Sequence, residues 1–73
     1  MTPYPENFPE TVKEVRRQLA LSQEELAQAL GVSFATVNRW ENSRTVPSKL
    51  AQRQFELFCE QKKQLGELKD DQG

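Results

Sequence analysis

The sequence predicts an all-α fold of four to five helices that ends in a long C-terminal helix. Its 73 residues, 36% of them hydrophobic, leave room for one small core, so a single domain is expected over residues 9–65. Apolar residues recur at helical spacing along the chain. A serine or an asparagine precedes each apolar segment, at the position where a helix is usually capped. Together, these observations favour short, individually capped helices around one core.

An extended arm precedes the first predicted helix. Two prolines within residues 1–8 favour an extended conformation, and Phe8 at the end of this arm can pack back onto the core. The first helix is predicted over residues 9–20, where Val12 and Val15 recur on one face at helical spacing. That face is expected to form part of the core.

The second helix is predicted between Ser22 and Gly31. The hydroxyl of Ser22 can cap the helix, and Glu25 three residues later completes a capping box. Gly31 ends the helix because glycine adopts the left-handed conformation without a Cβ penalty. Ser33 is the next cap, so the turn to the third helix is only two or three residues long.

A third helix is predicted over residues 33–42, and its two faces differ in character. Placing Val37 inward also turns Trp40 inward, so both are expected in the core. Phe34 and Thr36 lie near the exposed N-terminal end. The outward face carries small and polar side chains, namely Ala35, Asn38, Arg39 and Asn42. Two short helices of which the second exposes such a face fit the major groove of DNA.

A long fourth helix is predicted after a loop over residues 43–47. Ser48 caps this helix, which runs to about Leu65 and is followed by a flexible acidic tail over residues 66–73. Its apolar stripe covers roughly 200° of the helical wheel, whereas a peripheral helix needs a stripe of only ~100°. The surplus faces either a second subunit or, within one chain, the N-terminal arm.

The charges are unevenly distributed, although the formal net charge is only −1. Between residues 34 and 53, Glu41 is the only acid. The basic residues of this segment are Arg39, Arg44, Lys49 and Arg53. A locally basic surface on an acidic molecule can bind phosphates, with less non-specific affinity than a fully basic protein has.

An enzymatic function, a metal site and a cofactor are not expected. The chain has no histidine and one cysteine, Cys59, so it lacks the ligands of a metal cluster and the usual acid–base groups of a catalytic cleft. Cys59 is expected to pack as a small apolar residue, and its lack of a disulfide partner favours the reducing cytoplasm. No apolar stretch approaches the roughly 20 residues of a membrane span, and no signal-peptide pattern is present.

Four short motifs resemble the Xre, or lambda-repressor-like, family of helix-turn-helix regulators, known from phage repressors, controller proteins and antitoxins. The motifs are SQEELA at 22–27, GVS at 31–33, VxxWEN at 37–42 and PS at 47–48. The resemblance covers about residues 9–53. It implies a compact lambda-repressor-like domain whose third helix enters the major groove of DNA as the recognition helix.

The resemblance also implies roles for individual residues. Gln23 would bind a phosphate and brace the recognition helix, whose outer residues would read base edges while Asn42 and Arg44 clamp the backbone. The predicted DNA contacts are Gln23, Ser33, Phe34, Ala35, Thr36, Asn38, Arg39, Asn42, Arg44 and Lys49. The family also pairs an arginine of helix one with a glutamate that ends helix three. Arg16 and Glu41 occupy these positions, and both lie at the edges of apolar stripes, so a partly buried ion pair is expected.

This sequence departs from the family pattern at three places. Ser43 stands where glycine is frequent, so either a left-handed turn there is strained or the helix ends differently. Phe34 and Ala35 replace a polar pair found in several phage repressors; a phenyl ring and a methyl group can contact thymine methyl groups, which predicts some A·T preference. Arg39 is the candidate for the O6 and N7 atoms of guanine. No break between Ser48 and Gly66 marks a separate fifth helix.

The expected function is sequence-specific binding of double-stranded DNA by a small transcriptional regulator of repressor type. Two copies would pair through the last helix as a homodimer and place their recognition helices in successive major grooves of a palindromic operator. The alternative is an antitoxin or adaptor that uses the same fold to bind a toxin or another protein. The basic outward surface favours DNA, because an adaptor would not require it. No ligand-binding domain follows the helices, so no small-molecule ligand is expected.

Overall fold

The computed structural model describes residues 8–43 and 46–69. These residues form four α-helices and no strand, which confirms the predicted all-α fold and gives four helices rather than five within the described part of the chain. The helices are α1 (Phe8–Leu19), α2 (Gln23–Leu30), α3 (Phe34–Glu41) and α4 (Lys49–Gln64). Residues 1–7 of the predicted arm and residues 70–73 of the predicted tail lie outside the described residues.

Three helices begin at the predicted serine caps. Ser22, Ser33 and Ser48 have extended backbones, and each hydroxyl accepts a hydrogen bond of 3.0–3.1 Å from the backbone N–H three residues later. Glu25 closes the capping box by accepting from the N–H of Ser22 at 2.8 Å. A cap of this kind stabilises a helix by about 1 kcal/mol, so these short helices depend on their serines.

Each of the four described helices is followed within two residues by a left-handed residue. Gly31 and Gly66 have φ values of +79° and +78°, which glycine adopts without strain. Ser43 has a φ of +59°, so the left-handed turn is present there despite its side chain. Ala20, predicted as the last residue of helix one, instead lies beyond it with a φ of +57°. A side chain in this conformation costs roughly 1–2 kcal/mol.

One apolar core joins all four helices. Its buried members are Phe8, Val12, Val15, Leu26, Ala27, Leu30, Val37, Trp40, Phe55, Phe58, Cys59 and Leu68. Phe8 does pack on the core, but as the first residue of α1 rather than as the end of an extended arm. Its ring lies edge-on to Trp40 and to Phe55, with 5.3 Å between centroids in both pairs. Trp40 and Cys59 are buried, as predicted.

The chain after α4 turns back onto the core, although residues 66–73 were expected to form a flexible tail. Leu68 is only 6% exposed, and the backbone N–H of Lys69 donates to Oε1 of Gln18 on α1 at 2.9 Å. Gly66 permits this turn because its left-handed backbone redirects the chain. The packed part of the protein therefore reaches Lys69.

Candidate nucleic-acid interface

The third helix is held on one side and open on the other. Val37 and Trp40 turn inward and are 0% and 3% exposed. On the opposite side, Phe34 is 52% exposed, so its ring does not fold back onto the core. A tight turn of three residues, 31–33, joins α2 to α3. The result is a rigidly anchored helix with a free outer face, which is the arrangement a groove-reading helix needs.

The predicted DNA contacts differ in exposure. The six exposed residues are Ser33, Phe34, Ala35, Arg39, Asn42 and Lys49. The three half-buried residues are Gln23, Thr36 and Asn38. Lys49 is the first residue of α4, and Arg44 lies outside the described residues. Among the members that the structure describes, side-chain hydrogen bonds form two groups. One group contains Gln23 with the two asparagines, and the other contains the hydroxyls of Ser33 and Thr36, which lie 2.9 Å apart.

Beneath this face lies a partly buried ion pair between α1 and α3. Arg16 donates through Nε to Oε2 of Glu41 at 2.6 Å and through Nη2 to Oε1 at 2.9 Å. Its remaining Nη1 donates to the carbonyl of Leu21 at 3.0 Å. The side chains of Arg16 and Glu41 are 25% and 4% exposed. The fork therefore fastens the end of α3 to α1 and to the residue that leads into α2.

The charge state of the pair follows from its hydrogen bonds. Burial by itself would raise the pKa of Glu41, but the hydrogen bonds donated by Arg16 and Gln23 outweigh burial and hold that pKa below its ordinary value. The hydrogen bond to Glu41 likewise raises the pKa of Arg16. Both groups are thus charged at neutral pH, and the carboxylate can only accept hydrogen bonds.

From this carboxylate, a line of amide side chains leads to the outer face of α3. Gln23 donates through Nε2 to Oε1 of Glu41 at 3.0 Å. Asn38 donates through Nδ2 to Oε1 of Gln23, and Asn42 donates through Nδ2 to Oδ1 of Asn38, both at 3.1 Å. The sequence motifs indicated a bracing role for Gln23 but not its partners, because residues 23 and 38 meet only after α2 and α3 pack.

Among the described residues, several cations outside the interface are paired with glutamates, whereas the two cations of the interface are unpaired, as are Lys63 and Lys69 elsewhere. Arg17 and Arg53 each lie near a glutamate of their own helix. Arg39 and Lys49 are exposed and form no ion pair within residues 8–43 and 46–69. Unpaired cations are available to phosphates and base edges without first breaking an internal contact.

No helix in residues 8–43 and 46–69 is long and apolar enough to cross a membrane. No three side chains of the metal-binding types come together in the same part of the chain.

Comparison with known proteins places the chain in a family. A helix-turn-helix family model matches residues 12–51, more than half of the sequence. The Type II methyltransferase M1.ScrFI of Lactococcus lactis subsp. cremoris is 48% identical over 42 residues, which cover 53% of this chain but only 11% of the methyltransferase. No solved structure matches. From its matched region, its motifs and its four-helix fold, the chain belongs to the Xre or lambda-repressor-like family of DNA-binding helix-turn-helix proteins.

Proposed function

We propose that this chain binds double-stranded DNA sequence-specifically and regulates transcription as a repressor that occupies a palindromic operator. The observation that carries the proposal is the outer face of α3, which is open to solvent while its inner face is locked into the core. The family match supports DNA as the partner. In this proposal the protein binds DNA without a catalytic step or a cofactor, and it acts in the cytoplasm, where the DNA is.

The exposed side chains of α3 suit base reading. Phe34 and Ala35 provide a ring and a methyl group for thymine methyl groups, and Arg39 provides the fork that matches O6 and N7 of guanine. Asn38 supplies a donor and an acceptor for adenine. The remaining predicted contacts are assigned to the phosphate backbone, namely Gln23, Ser33, Thr36, Asn42, Arg44 and Lys49.

Pairing through α4 would give the protein two recognition helices. Leu50 and Leu57 are 71% and 51% exposed, on the opposite side of α4 from the buried Phe55. The uncharged Gln54 and Gln61 continue the same line at alternating spacings of four and three, typical of a helix-to-helix seam. A second copy would bury this line and place the two α3 helices roughly 34 Å apart, one turn of DNA.

The alternative function is that of an antitoxin or adaptor, and one observation favours it. Val46 and Leu65 are 76% and 62% exposed, so apolar surface extends beyond the proposed seam. A toxin or another protein could cover that surface while α3 still reads DNA. Sedimentation of the pure chain separates the two: a dimer at the concentrations that saturate DNA supports self-pairing, and a monomer favours a heterologous partner.

Selection from a randomised duplex pool tests the proposed function. Enrichment of a palindrome supports a dimeric regulator, enrichment of a single half-site retains base reading without the dimer, and no enrichment contradicts sequence-specific binding. Arg39→Ala should then lose about 1–3 kcal/mol at one base position of the recovered site. Arg17→Ala is the matched control, because it removes an exposed cation of α1 that points to Glu14. Equal losses on specific and random DNA for Arg39→Ala would contradict base reading by this residue.

A further inference from the structure

The amide line between α1, α2 and α3 has a fixed direction. Glu41 accepts from Arg16 through both oxygens and from Gln23 through Oε1. Because an ionised carboxylate has no proton to donate, the Gln23 amide must turn its NH2 group toward it. Its carbonyl oxygen then faces Asn38, which must in turn donate, and the carbonyl of Asn38 accepts from Asn42. All three amides therefore point their NH2 groups toward one negative charge.

Reversing any inner member of the line would bring like groups together. A flipped Gln23 would place its oxygen 3.0 Å from a carboxylate oxygen, where a hydrogen bond now lies. A flipped Asn38 would place its oxygen 3.1 Å from the oxygen of Gln23. Its NH2 group would then face the NH2 group of Asn42. Half-buried polar groups that oppose like groups cost free energy, so the charge of Glu41 determines the orientation of the Asn38 amide.

We propose that Glu41 is a positioning residue for base reading, which acts through Gln23 to fix the direction in which the Asn38 amide faces the DNA. This inference rests on the proposed DNA-reading function of α3. The line leaves Asn38 one N–H and one carbonyl lone pair, the donor and acceptor that match N7 and N6 of adenine. Guanine presents two acceptors there and would oppose the carbonyl. A side chain already held in place also loses less rotamer freedom on binding.

The orientation can be tested in the free protein, without DNA. In the ¹⁵N-labelled full chain, the Asn38 side-chain amide should show the restricted motion of a rigid group, with an order parameter of about 0.8. Gln23→Leu keeps the Arg16–Glu41 fork but breaks the line, and should lower the Asn38 value below about 0.6. Asn42→Ala is the matched control, because it removes only the outer end and should leave Asn38 restrained. Equal Asn38 mobility in the wild type and in Gln23→Leu would overturn the proposal.

The effect on recognition is measured as base discrimination on the selected site. Asn38→Ala identifies the base pair that this side chain reads. At that pair, Gln23→Leu should reduce the preference for adenine by about tenfold, and Glu41→Gln should do so as well. Asn42→Ala should preserve the preference. A uniform loss of affinity for all bases in Gln23→Leu would show only a phosphate contact and would overturn positioning.

The two proposals fail in different ways. If no sequence is selected, the proposed function is wrong, whereas the order parameters still report whether the line orients Asn38. If a site is selected and Asn38→Ala changes no base preference, Asn38 does not read a base and positioning by Glu41 is overturned. Glu41→Gln leaves Arg16 without its anionic partner. If that variant is unfolded, Gln23→Leu alone decides, since it leaves the ion pair intact.

Discussion

Replacing Arg16 with methionine should remove most of the protein's stability at neutral pH. Methionine keeps the length of the aliphatic stem but leaves Glu41, whose side chain is 4% exposed, with Gln23 as its remaining side-chain donor. Removing one partner of a buried pair costs about 3–5 kcal/mol, because the other charge stays buried. The arginine side chain is 25% exposed, so water can partly replace it, and we expect the lower end of this range, about 3 kcal/mol.

This loss is large compared with the stability of so small a domain, which rarely exceeds about 3–5 kcal/mol. At roughly 4–8 °C per kcal/mol, the melting temperature should fall by about 10–25 °C. Trp40 is the single tryptophan and is 3% exposed, so its fluorescence reports unfolding of the core directly. A change below about 0.5 kcal/mol, the range of an ordinary surface substitution, would refute the assignment of a buried ion pair.

The control is the double variant that also replaces Glu41 with leucine. It removes the buried charge together with its partner, so most of the lost stability should return. The pH dependence supplies a second check. In the wild type, the pKa of Glu41 is lower in the folded state than in the unfolded state, where it is about 4.3. The stabilisation that the Glu41 carboxylate provides is therefore fully present above the unfolded pKa and is lost as the pH falls through the lower folded pKa. Without Arg16, burial raises that pKa instead, so the gap between the variant and the wild type should narrow on acidification. A double variant as unstable as the single one would contradict this account.

Three further predictions concern other parts of the molecule. Ser43→Gly should raise the free energy of unfolding by about 1 kcal/mol in urea titrations, because glycine adopts the left-handed φ of +59° without strain. Gly31→Ala should lower it, because alanine is strained at a φ of +79° even though no atom lies within 4 Å of the added Cβ. Leu57→Glu should abolish any self-association seen by sedimentation while it leaves the melting temperature nearly unchanged, because this side chain is 51% exposed; unchanged association would exclude this face from the dimer. The Arg17 guanidinium holds the pKa of Glu14 at about 2, so Arg17→Ala should shift the NMR titration of that carboxyl upward, toward 4.5.

The helix boundaries were predictable because the signals that set them are local. A serine cap acts on a backbone N–H only three residues away, so Ser22, Ser33 and Ser48 locate three helix starts without any knowledge of packing. Glycine at position 31 likewise ends α2 through its own backbone preference. The inward face of α3 followed from helical periodicity, which is also a local property.

The errors occurred where packing overrides local preference. Phe8 adjoins a proline-containing segment that favours an extended chain, yet the core fixes it as the first residue of α1. The acidic composition after Gly66 predicts a tail that includes Leu68; Gly66 marks the end of the helix, but no local signal shows that the following residues pack on the core. Ala20 carries no signal for a left-handed backbone, and the hydrogen bond from the N–H of Leu21 to the carbonyl of Arg16, at 2.9 Å, stabilises that turn.

The same carboxylate links the stability of the fold to the geometry of its outer face. Glu41 holds α3 to α1 through Arg16 and reaches Asn38 through Gln23. Val37 and Trp40 fix the inner face of α3, but the direction of the Asn38 amide depends on Gln23 and Glu41, so a change at Glu41 is transmitted to a side chain that faces the DNA. Under the proposed function, substitutions of Arg16 should therefore reduce base discrimination by the molecules that remain folded, in addition to reducing their number. A surface cation such as Arg17 has no such connection, and its removal should leave both quantities nearly unchanged.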